Sequence, residues 1–414
     1  MKILIVGAGL GGMMLAACLQ RRGIDYQIIE KSPDGQQQGF SLGIWHNTRQ
    51  LFAHLHLEDS LDALGSRMHL YQVRDDSGQL LRSITFAELY ARYGIAYTQV
   101  NRTKLRQLIA SKVDRTKISF GRKITAITQH PDRVAVTFAD GPIATGDILV
   151  GADGVHSFVR DCIFCRGLQK FFGWRAWYVG IDHRYQSRNG MVEFVGTGRC
   201  LSLFDDEDYC LAIFFARRKL GQDNGKGKAA LLKELFHREL SQLPGCLDGI
   251  SDDQIMATDL ARVDRNDWVR GRVVLIGDAA HAVEPHTGMG GAMAMEDAYV
   301  LAEQLATAAD ITTALNTYQS LRIPRMKVVR RLTKGIGMFA FMRSAILRKA
   351  ANLIIPHLPQ SVYYSGYYRL LDDSVVAAGR VVGATSNTAD ASGPAPSISL
   401  ARTVDEPDTT NAFA

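Results

Sequence analysis

The sequence lacks a long apolar run, a cysteine framework and a strong excess of either charge. No stretch of about 18 uncharged apolar residues occurs, which predicts no membrane span. Six cysteines are spread over 414 residues, and the close pair Cys162 and Cys165 has no second pair or histidine nearby. That spacing favours an incidental pair over a zinc or redox site, and it fits a reducing cytoplasm. The net charge of +6 is modest and its basic residues are scattered, so no nucleic-acid partner is predicted.

The first stretch of the chain is typical of dinucleotide binding. Residues 3–6 are apolar with no polar break, which indicates a strand buried on both faces. Gly7, Gly9 and Gly12 follow with the spacing G-x-G-x-x-G. These glycines allow a tight turn, a close approach of a phosphate and close packing of the next helix, whose positive end suits a pyrophosphate. Glu30 ends the next apolar strand and is placed to accept a hydrogen bond from an adenosine ribose.

A basic residue at a helix start gives a second indication of an anionic ligand. Asn101 is a plausible N-cap, so Arg102 lies in the first turn of the helix that follows. A cation is unfavourable there by the dipole rule, which favours an anionic neighbour such as a cofactor phosphate. A solvated surface arginine is the alternative. Gly43 is a candidate for the cofactor wall, with loop flexibility as the alternative, and Lys31 stands next to the ribose acid.

Two later strands also run into glycine-containing loops. Asp153 follows the apolar stretch 148–151, where ligand groups usually lie in an open α/β sheet. Asp278 follows a second apolar strand. Gly288, Gly290 and Gly291 then lead into a helix whose N-terminus would stabilise negative charge on a bound ring. These loops predict a second pole for a long polar cofactor.

The middle of the chain has a different character. Residues 170–262 carry aromatic residues in runs with strand-like alternation, which predicts a mixed sheet suited to an apolar ligand. Residues 69–97 predict a hairpin of the same region. For residues 336–358, interrupted by Arg343, Arg348 and Lys349, we favour core packing over an interfacial amphipathic helix with weak peripheral membrane contact.

In these motifs the chain resembles the single-component flavoprotein monooxygenases, the para-hydroxybenzoate hydroxylase-like group. GAGLGG with Glu30, GADGVHSFVR (151–160) and GDAAHAVEPHTGMGGAMAMEDA (277–298) match in order and at family-like spacing. The resemblance implies FAD as cofactor, with Arg102 in contact with it, Asp278 at the ribityl chain or pyrophosphate, and the glycine loop at the pyrimidine edge. The cofactor positions are Gly7, Gly9, Gly12, Glu30, Lys31, Gly43, Arg102, Asp153, Asp278, Gly288, Gly290 and Gly291.

The implied fold class is α/β. It comprises a Rossmann-like FAD-binding domain, an inserted mixed β-sheet substrate domain and C-terminal helices. The FAD-binding segments are expected at 1–68, 98–168 and 263–330. The substrate domain takes 69–97 and 169–262. Helices are expected over 331–383, followed by a disordered tail over 384–414, rich in Ser, Thr, Pro, Asp and Ala.

The implied reaction is oxygen insertion into an apolar aromatic or polycyclic small molecule. NAD(P)H, a transient co-substrate, would reduce FAD, and O2 would form a flavin hydroperoxide that hydroxylates or epoxidises the substrate. Met289 stands where many members have Gln, which leaves the substrate class open. An FAD-bound cyclase, a halogenase and a non-catalytic flavin protein remain alternatives.

No catalytic base and no metal site are assigned from the sequence. The candidate bases near the ring are Arg175, Tyr178, Asp182 and His183, and the residues alone do not rank them. His281 and His286 near Glu284 suggest a metal by type, but their place on the flavin loop favours a structural role.

Overall fold

A computed structural model describes residues 1–33, 40–185, 190–205, 209–223 and 227–372. In chain order the strands are β1 (Lys2–Val6), β2 (Asp25–Ile29), β3 (Ser41–Trp45), β4 (Gly65–Arg67), β5 (Leu70–Asp75), β6 (Leu80–Thr85), β7 (Tyr97–Asn101), β8 (Ile118–Ser119), β9 (Ile124–Gln129), β10 (Val134–Phe138), β11 (Ile143–Gly146), β12 (Ile148–Gly151), β13 (Gln169–Ile181), β14 (Gly190–Val195), β15 (Arg199–Asp205), β16 (Cys210–Arg217), β17 (Met256–Val263), β18 (Val269–Arg270) and β19 (Val273–Leu275). The α-helices are α1 (Leu10–Arg21), α2 (His46–His54), α3 (Glu58–Ala63), α4 (Ala87–Tyr93), α5 (Arg102–Ala110), α6 (Phe158–Ile163), α7 (Lys228–Leu235), α8 (His237–Leu240), α9 (Asp278–His281), α10 (Gly290–Thr307), α11 (Ile311–Ala340), α12 (Ala345–Ile354) and α13 (Gln360–Asp372).

The first strand lies inside a sheet of order β18-β19-β12-β1-β2-β8, as its apolar sequence predicts. β1 pairs in parallel with β2 and β12, and β12 pairs in parallel with β19. The core of β1 is fully buried because α1 and strand β11 both pack against it, and α10 packs in turn on α1. Gly11 allows these helices to approach closely, since a Cβ there would lie 3.3 Å from the Cβ of Ala294. The Rossmann-like fold class is confirmed.

A mixed sheet of order β17-β13-β16-β15-β14-β5-β6 forms the second layer. The hairpin predicted within 69–97 is its β5–β6 pair, and β5 joins the sheet by parallel pairing with β14. One face packs under α7 and α8 through Trp177, Phe214 and Phe236. The other face, called the inner face below, carries Tyr71, Cys200 and other residues of the main core. Two smaller sheets have the orders β11-β10-β9 and β3-β7-β4.

The long helix α11 runs through residue 330, where we placed the end of the FAD-binding segments. The domain boundaries themselves stay predictions. The tail predicted over 384–414 lies outside the described residues. None of the helices in the described parts of the chain combines the length and the apolar composition that a membrane span requires.

The prediction of core packing for 336–358 is wrong for most of α12. Ile346, Leu347, Leu353 and Ile354 are large apolar residues and are exposed. The helical period was correct, but the apolar stripe faces outward because Arg348 occupies the side that meets the protein.

Candidate functional site

The turn between β1 and α1 is built so that glycine is required twice. Gly7 has φ +106°, and a Cβ on it would lie 2.5 Å from the carbonyl oxygen of Ala152. A Cβ on Gly12 would lie 2.0 Å from the carbonyl oxygen of Gly7. Gly9 is the N-cap of α1 and supplies no side-chain cap, so the first amides of the helix remain available to an anion.

Glu30 fixes this turn against the end of β2. Its carboxylate accepts hydrogen bonds from the amide of Ala8 at 2.7 Å and from the amide of Ser32 at 2.9 Å. The residue is buried. Each carboxylate oxygen keeps a further acceptor position, which fits the predicted bond to a ribose hydroxyl. Lys31 follows and is exposed.

Asp153 lies beside the same turn but directs its carboxylate to α6. The Cα of Asp153 is 3.1 Å from the position of a Cβ on Gly7. The carboxylate accepts hydrogen bonds from the Ser157 hydroxyl and, at 3.1 Å, from the Val159 amide. Burial raises the pKa of Asp153, and these bonds oppose that shift. The side chain orders the loop, so any contact with a cofactor would come chiefly from neighbouring backbone.

Asp278 faces the start of α10. It is the first residue of α9 and is exposed, and no hydrogen bond from a described residue reaches its carboxylate. One oxygen lies 3.9 Å from the position of a Cβ on Gly290, the first residue of α10. A Cβ on Gly291 would contact Leu42 of β3 and Leu10 of α1. The start of α1, the start of α10 and β3 therefore meet at one edge of the parallel sheet.

The glycine loop before α10 supplies a second anion site. Gly288 has φ +62°, in the left-handed region that favours glycine. The N-cap of α10 is Met289, which makes no side-chain cap bond. A Cβ on Gly288 would lie 3.9 Å from the indole nitrogen of Trp45. That buried nitrogen has no hydrogen-bond partner among the described residues, so it is a donor without an internal acceptor at the edge of the loop.

Beneath the loop lies a buried ion network that the sequence reasoning missed. Asp297 accepts a hydrogen bond from the amide of Gly277 at 2.8 Å and pairs with His281. Arg322 of α11 donates to Asp297 at 2.6 Å and to Glu296 at 2.7 Å. Burial raises the pKa of Asp297, but His281 and Arg322 outweigh burial, so the net pKa is lowered. The network holds the loop that begins at Gly277.

Glu296 extends this network to two other elements. It accepts hydrogen bonds from Arg325 of α11 at 2.5 Å and 2.7 Å, and from the side-chain amide nitrogen of Asn47 of α2. Burial raises its pKa, and Arg325 with Arg322 lowers it further than burial raises it. The only signal in the sequence was the Glu-Asp pair at 296–297, whose arginine partners lie more than 20 residues away.

Arg160 joins the second and third motifs. Its guanidinium is fully buried and donates to the carbonyl oxygen of Ala279 at 3.2 Å and to that of Val155 at 2.9 Å. The end of the GADGVHSFVR motif thus fixes the loop that carries Asp278.

Arg102 begins α5, with Asn101 as N-cap as predicted. The Asn101 side chain accepts hydrogen bonds from the amides of Thr103 and Lys104. Arg102 is exposed, and its charge lies close enough to Tyr178 to lower the phenol's pKa. Burial is the larger effect and raises the pKa of Tyr178 to about 12. Arg102 therefore lies near the inner face of the mixed sheet.

Aromatic rings lie against the inner face near Arg102. Phe40 stacks on Tyr178 with ring centroids 6.0 Å apart and meets Tyr209 edge-on at 6.2 Å. Gly43 lies on β3 against the Tyr97 ring, which a Cβ would overlap at 2.2 Å. The structure thus explains Gly43 by the ring that covers it, and its role toward a cofactor stays a prediction.

His286 joins the glycine loop to the sheet. Its ring packs edge-on against Phe341 at 4.0 Å and against Phe215 of β16 at 6.1 Å. The Nε2 atom is buried without a partner among the described residues, and burial lowers the pKa of His286 to about 3. Gly337 makes room for the ring, because a Cβ there would lie 3.0 Å from it. His281 pairs with Asp297 instead, so the two histidines have separate environments.

A single carboxylate, Glu193, lies in a cluster on the inner face that sequence reasoning also missed. It accepts hydrogen bonds from the Tyr71 hydroxyl at 2.5 Å and from the Ser202 hydroxyl at 3.0 Å. Tyr363 of α13 packs against Tyr71 with centroids 5.4 Å apart. The alternation of β14 gave no reason to place this acid inward.

The four candidate bases lie in different surroundings. Arg175 forms an ion pair with Asp259 at 2.9 Å. Asp182 accepts a hydrogen bond from the amide of Arg184 at 2.9 Å, and His183 lies on the short turn that follows β13. Tyr178 stacks on the ring of Phe40. The structure assigns no catalytic base.

The chain matches known proteins along most of its length. The sequence profile of the FAD binding domain family matches residues 1–198 and 206–333. The chain belongs to the FAD-dependent aromatic hydroxylase family. An FAD-dependent urate hydroxylase of Klebsiella pneumoniae is 31% identical over 336 residues, which cover 79% of this chain and 87% of that protein. An aurachin C monooxygenase/isomerase of Stigmatella aurantiaca is 30% identical over 330 residues, covering 78% and 86%.

The fold comparison agrees with this membership. Klebsiella pneumoniae HpxO complexed with FAD and uric acid has a TM-score of 0.80 at 26% identity, covering 91% of this chain and 97% of that chain. As a member of this family the chain is an FAD-dependent oxidoreductase, and the prediction of FAD is confirmed. The glycine turns and the two helix starts without side-chain caps fit a dinucleotide with an anionic centre. The roles of the individual site residues stay predictions.

Proposed function

We propose that this chain is a monooxygenase that uses NAD(P)H and O2 to hydroxylate or epoxidise an apolar aromatic or polycyclic small molecule. The observation that carries the proposal is the contact between the glycine loop and the inner face. His286, two residues before Gly288, packs on Phe215 of the mixed sheet. A ring bound at the loop would thus have an aromatic wall beside it, which suits a flat apolar substrate.

The relatives support a reaction on an aromatic or heterocyclic ring. They include the urate hydroxylase and a 6-hydroxynicotinate 3-monooxygenase of Bordetella bronchiseptica, 26% identical over 354 residues. Their activities are properties of those proteins. For this chain we infer the reaction class from them and the apolar substrate from the wall of Phe40, Tyr178 and Phe215.

Bound FAD would supply the reduction of O2 and the transfer of one oxygen atom. We assign the pyrophosphate of FAD to the amides that follow Gly7 and Gly9, its adenosine ribose to Glu30, and the pyrimidine edge of its flavin ring to the start of α10. Asp278 would accept hydrogen bonds from ribityl or other polyol hydroxyls. Those contacts position the cofactor without moving a proton.

The ionisable groups of the wall have defined protonation states at neutral pH. Tyr178, with a pKa of about 12, stays protonated and can donate a hydrogen bond to a substrate oxygen. His286, with a pKa of about 3, stays neutral. Neither adds a charge beside an apolar substrate, and the packed rings exclude water. The free thiols of all six cysteines support the cytoplasmic location that we propose.

The test is a substrate screen with purified FAD-loaded protein. Phenols, N-heteroaromatic compounds and polycyclic compounds are added singly, and NADH or NADPH oxidation is followed with oxygen uptake. We expect one class to accelerate NAD(P)H oxidation and to gain one oxygen atom that is labelled when 18O2 is supplied. Oxygen derived from water, product formation without NAD(P)H, or dependence on halide would contradict the proposal.

A further inference from the structure

The helix α12 has the reverse of the usual arrangement for a helix on a protein surface. Ile346 is 80% exposed and Leu353 is 75% exposed. On the opposite side, Arg348 is buried and donates hydrogen bonds to the carbonyl oxygens of Phe339 at 2.6 Å and Ala340 at 3.2 Å. The arginine thus caps the end of α11, while the apolar stripe faces away from the protein.

The exposed apolar residues of the described chain are concentrated at this end. Of eleven large exposed apolar residues, seven fall between residues 338 and 362. We call these seven the apolar patch: Met338, Ile346, Leu347, Leu353, Ile354, Leu358 and Val362. The four on α12 share one face of the helix, at positions i, i+1, i+7 and i+8, and such a group indicates an interaction surface, whereas single exposed apolar residues are normal.

The charged side chains of the segment that carries the apolar patch are all cationic. The sequence contains no Asp or Glu from residue 311 to residue 371. The exposed cations of this segment are Lys327, Arg331, Lys334, Arg343, Lys349 and Arg369. A partner that covers the patch must therefore be apolar at its centre and negative at its edge.

A second copy of the chain does not meet that requirement. Two patches facing each other would bring Arg343 and Lys349 of one copy near the same cations of the other, without an acid from this segment to pair with them. An anionic bilayer meets both conditions, because acyl chains accept the aliphatic side chains and lipid phosphates accept the cations.

We propose that α12 and its flanks form a membrane-surface site that docks this enzyme on anionic phospholipid bilayers. The helix would lie in the plane of the interface, with Ile346, Leu353 and their neighbours among the acyl chains. Arg343 and Lys349 would contact lipid phosphates. The inference does not depend on the substrate or reaction proposed above.

The test is co-sedimentation of the full FAD-loaded chain with vesicles. One set is pure phosphatidylcholine, and the other contains about one quarter phosphatidylglycerol. We expect binding to the anionic vesicles to be at least about tenfold tighter and to weaken as salt is raised. The double variant Ile346→Glu with Leu353→Glu should bind about 100-fold more weakly, because two aliphatic side chains that would enter the acyl chains are lost.

Matched variants distinguish binding through this site from nonspecific adsorption of the protein to vesicles. Ile143→Glu changes a residue of β11 that is 64% exposed outside the patch, and it should leave vesicle binding unchanged. Arg343→Gln with Lys349→Gln should weaken binding only to anionic vesicles, whereas Lys123→Gln with Arg166→Gln should not. Thermal unfolding and FAD content should match the unmodified chain in every variant, since all seven substituted positions are exposed.

Three results would overturn the proposal. The first is no binding to either vesicle. The second is an equal loss of binding in Ile143→Glu and in the α12 double variant. The third is a dimer in solution that the α12 double variant converts to a monomer while vesicle binding is absent, which would assign the patch to a second copy.

Discussion

The helices α10 and α12 both depart from the usual surface helix, but in opposite directions. α10 buries two carboxylates, Glu296 and Asp297, and α12 exposes four large aliphatic side chains. The carboxylates of α10 are explained within the chain, because Arg322, Arg325 and His281 pair with them. No described residue covers the apolar stripe of α12. The first departure therefore concerns the stability of the site, and the second indicates a partner outside the chain.

Removing a cation from the buried network should give the largest loss of stability. Arg322→Met leaves Glu296 and Asp297 short of a partner in a fully buried position. We expect a loss of about 3–5 kcal/mol in the free energy of unfolding. Arg331→Met, on an exposed position of the same helix, should change it by about 0.5 kcal/mol or less. Urea unfolding of both variants makes the measurement. Equal losses would show that the buried network contributes no more to the free energy of unfolding than an exposed arginine does.

The boundary between covered and uncovered apolar residues near α12 is open to a direct test. Ile355 is buried at the end of α12, whereas Ile346 is exposed. We expect Ile355→Ala to cost about 2–4 kcal/mol of unfolding free energy, and Ile346→Ala less than about 0.5 kcal/mol. Chemical unfolding in the absence of lipid measures both. A comparable cost at Ile346 would mean that some part of the chain covers the patch.

The pH dependence of stability should reveal the paired carboxylates. The folded pKa values of Glu296 and Asp297 are lowered, so their stabilisation is present above the ordinary carboxyl pKa of about 4 and is lost as pH falls through the folded values. Asp297→Asn should reduce the slope of unfolding free energy against pH below about pH 4 by up to about 1.4 kcal/mol per unit. Asp59→Asn removes an exposed carboxylate outside the network and serves as the control. An unchanged slope in Asp297→Asn would contradict the assignment.

Local signals in the sequence predicted the nucleotide-binding edge well. The apolar run at 3–6, the glycine spacing and the Asn101 cap depend on neighbours within a few residues, and the structure has the strand, turn and cap as predicted. The sequence also placed the cation Arg102 in the first turn of α5, because that position depends only on the neighbouring cap.

Long-range pairing was not predictable in this way. The parallel pairing of β5 with β14 joins residues more than 100 positions apart, and Glu193 has its partner Tyr71 across that pair. The helical period of α12 was visible, but the period does not say which face meets the protein. Burial of Arg348 rather than Ile346 decides it, and that depends on the carbonyl groups at the end of α11.

The most direct test of the account is FAD binding by the full chain and by Asp278→Ala. The exposed Asp278 has no hydrogen-bond partner among the described residues, so its removal should leave the thermal stability of the FAD-free protein unchanged. We expect one FAD per unmodified chain and binding to Asp278→Ala that is at least about tenfold weaker, since a charge-assisted hydrogen bond is lost. A full chain that is colourless and takes up no added FAD would contradict the account, and a variant that retains full FAD occupancy would remove Asp278 from the site.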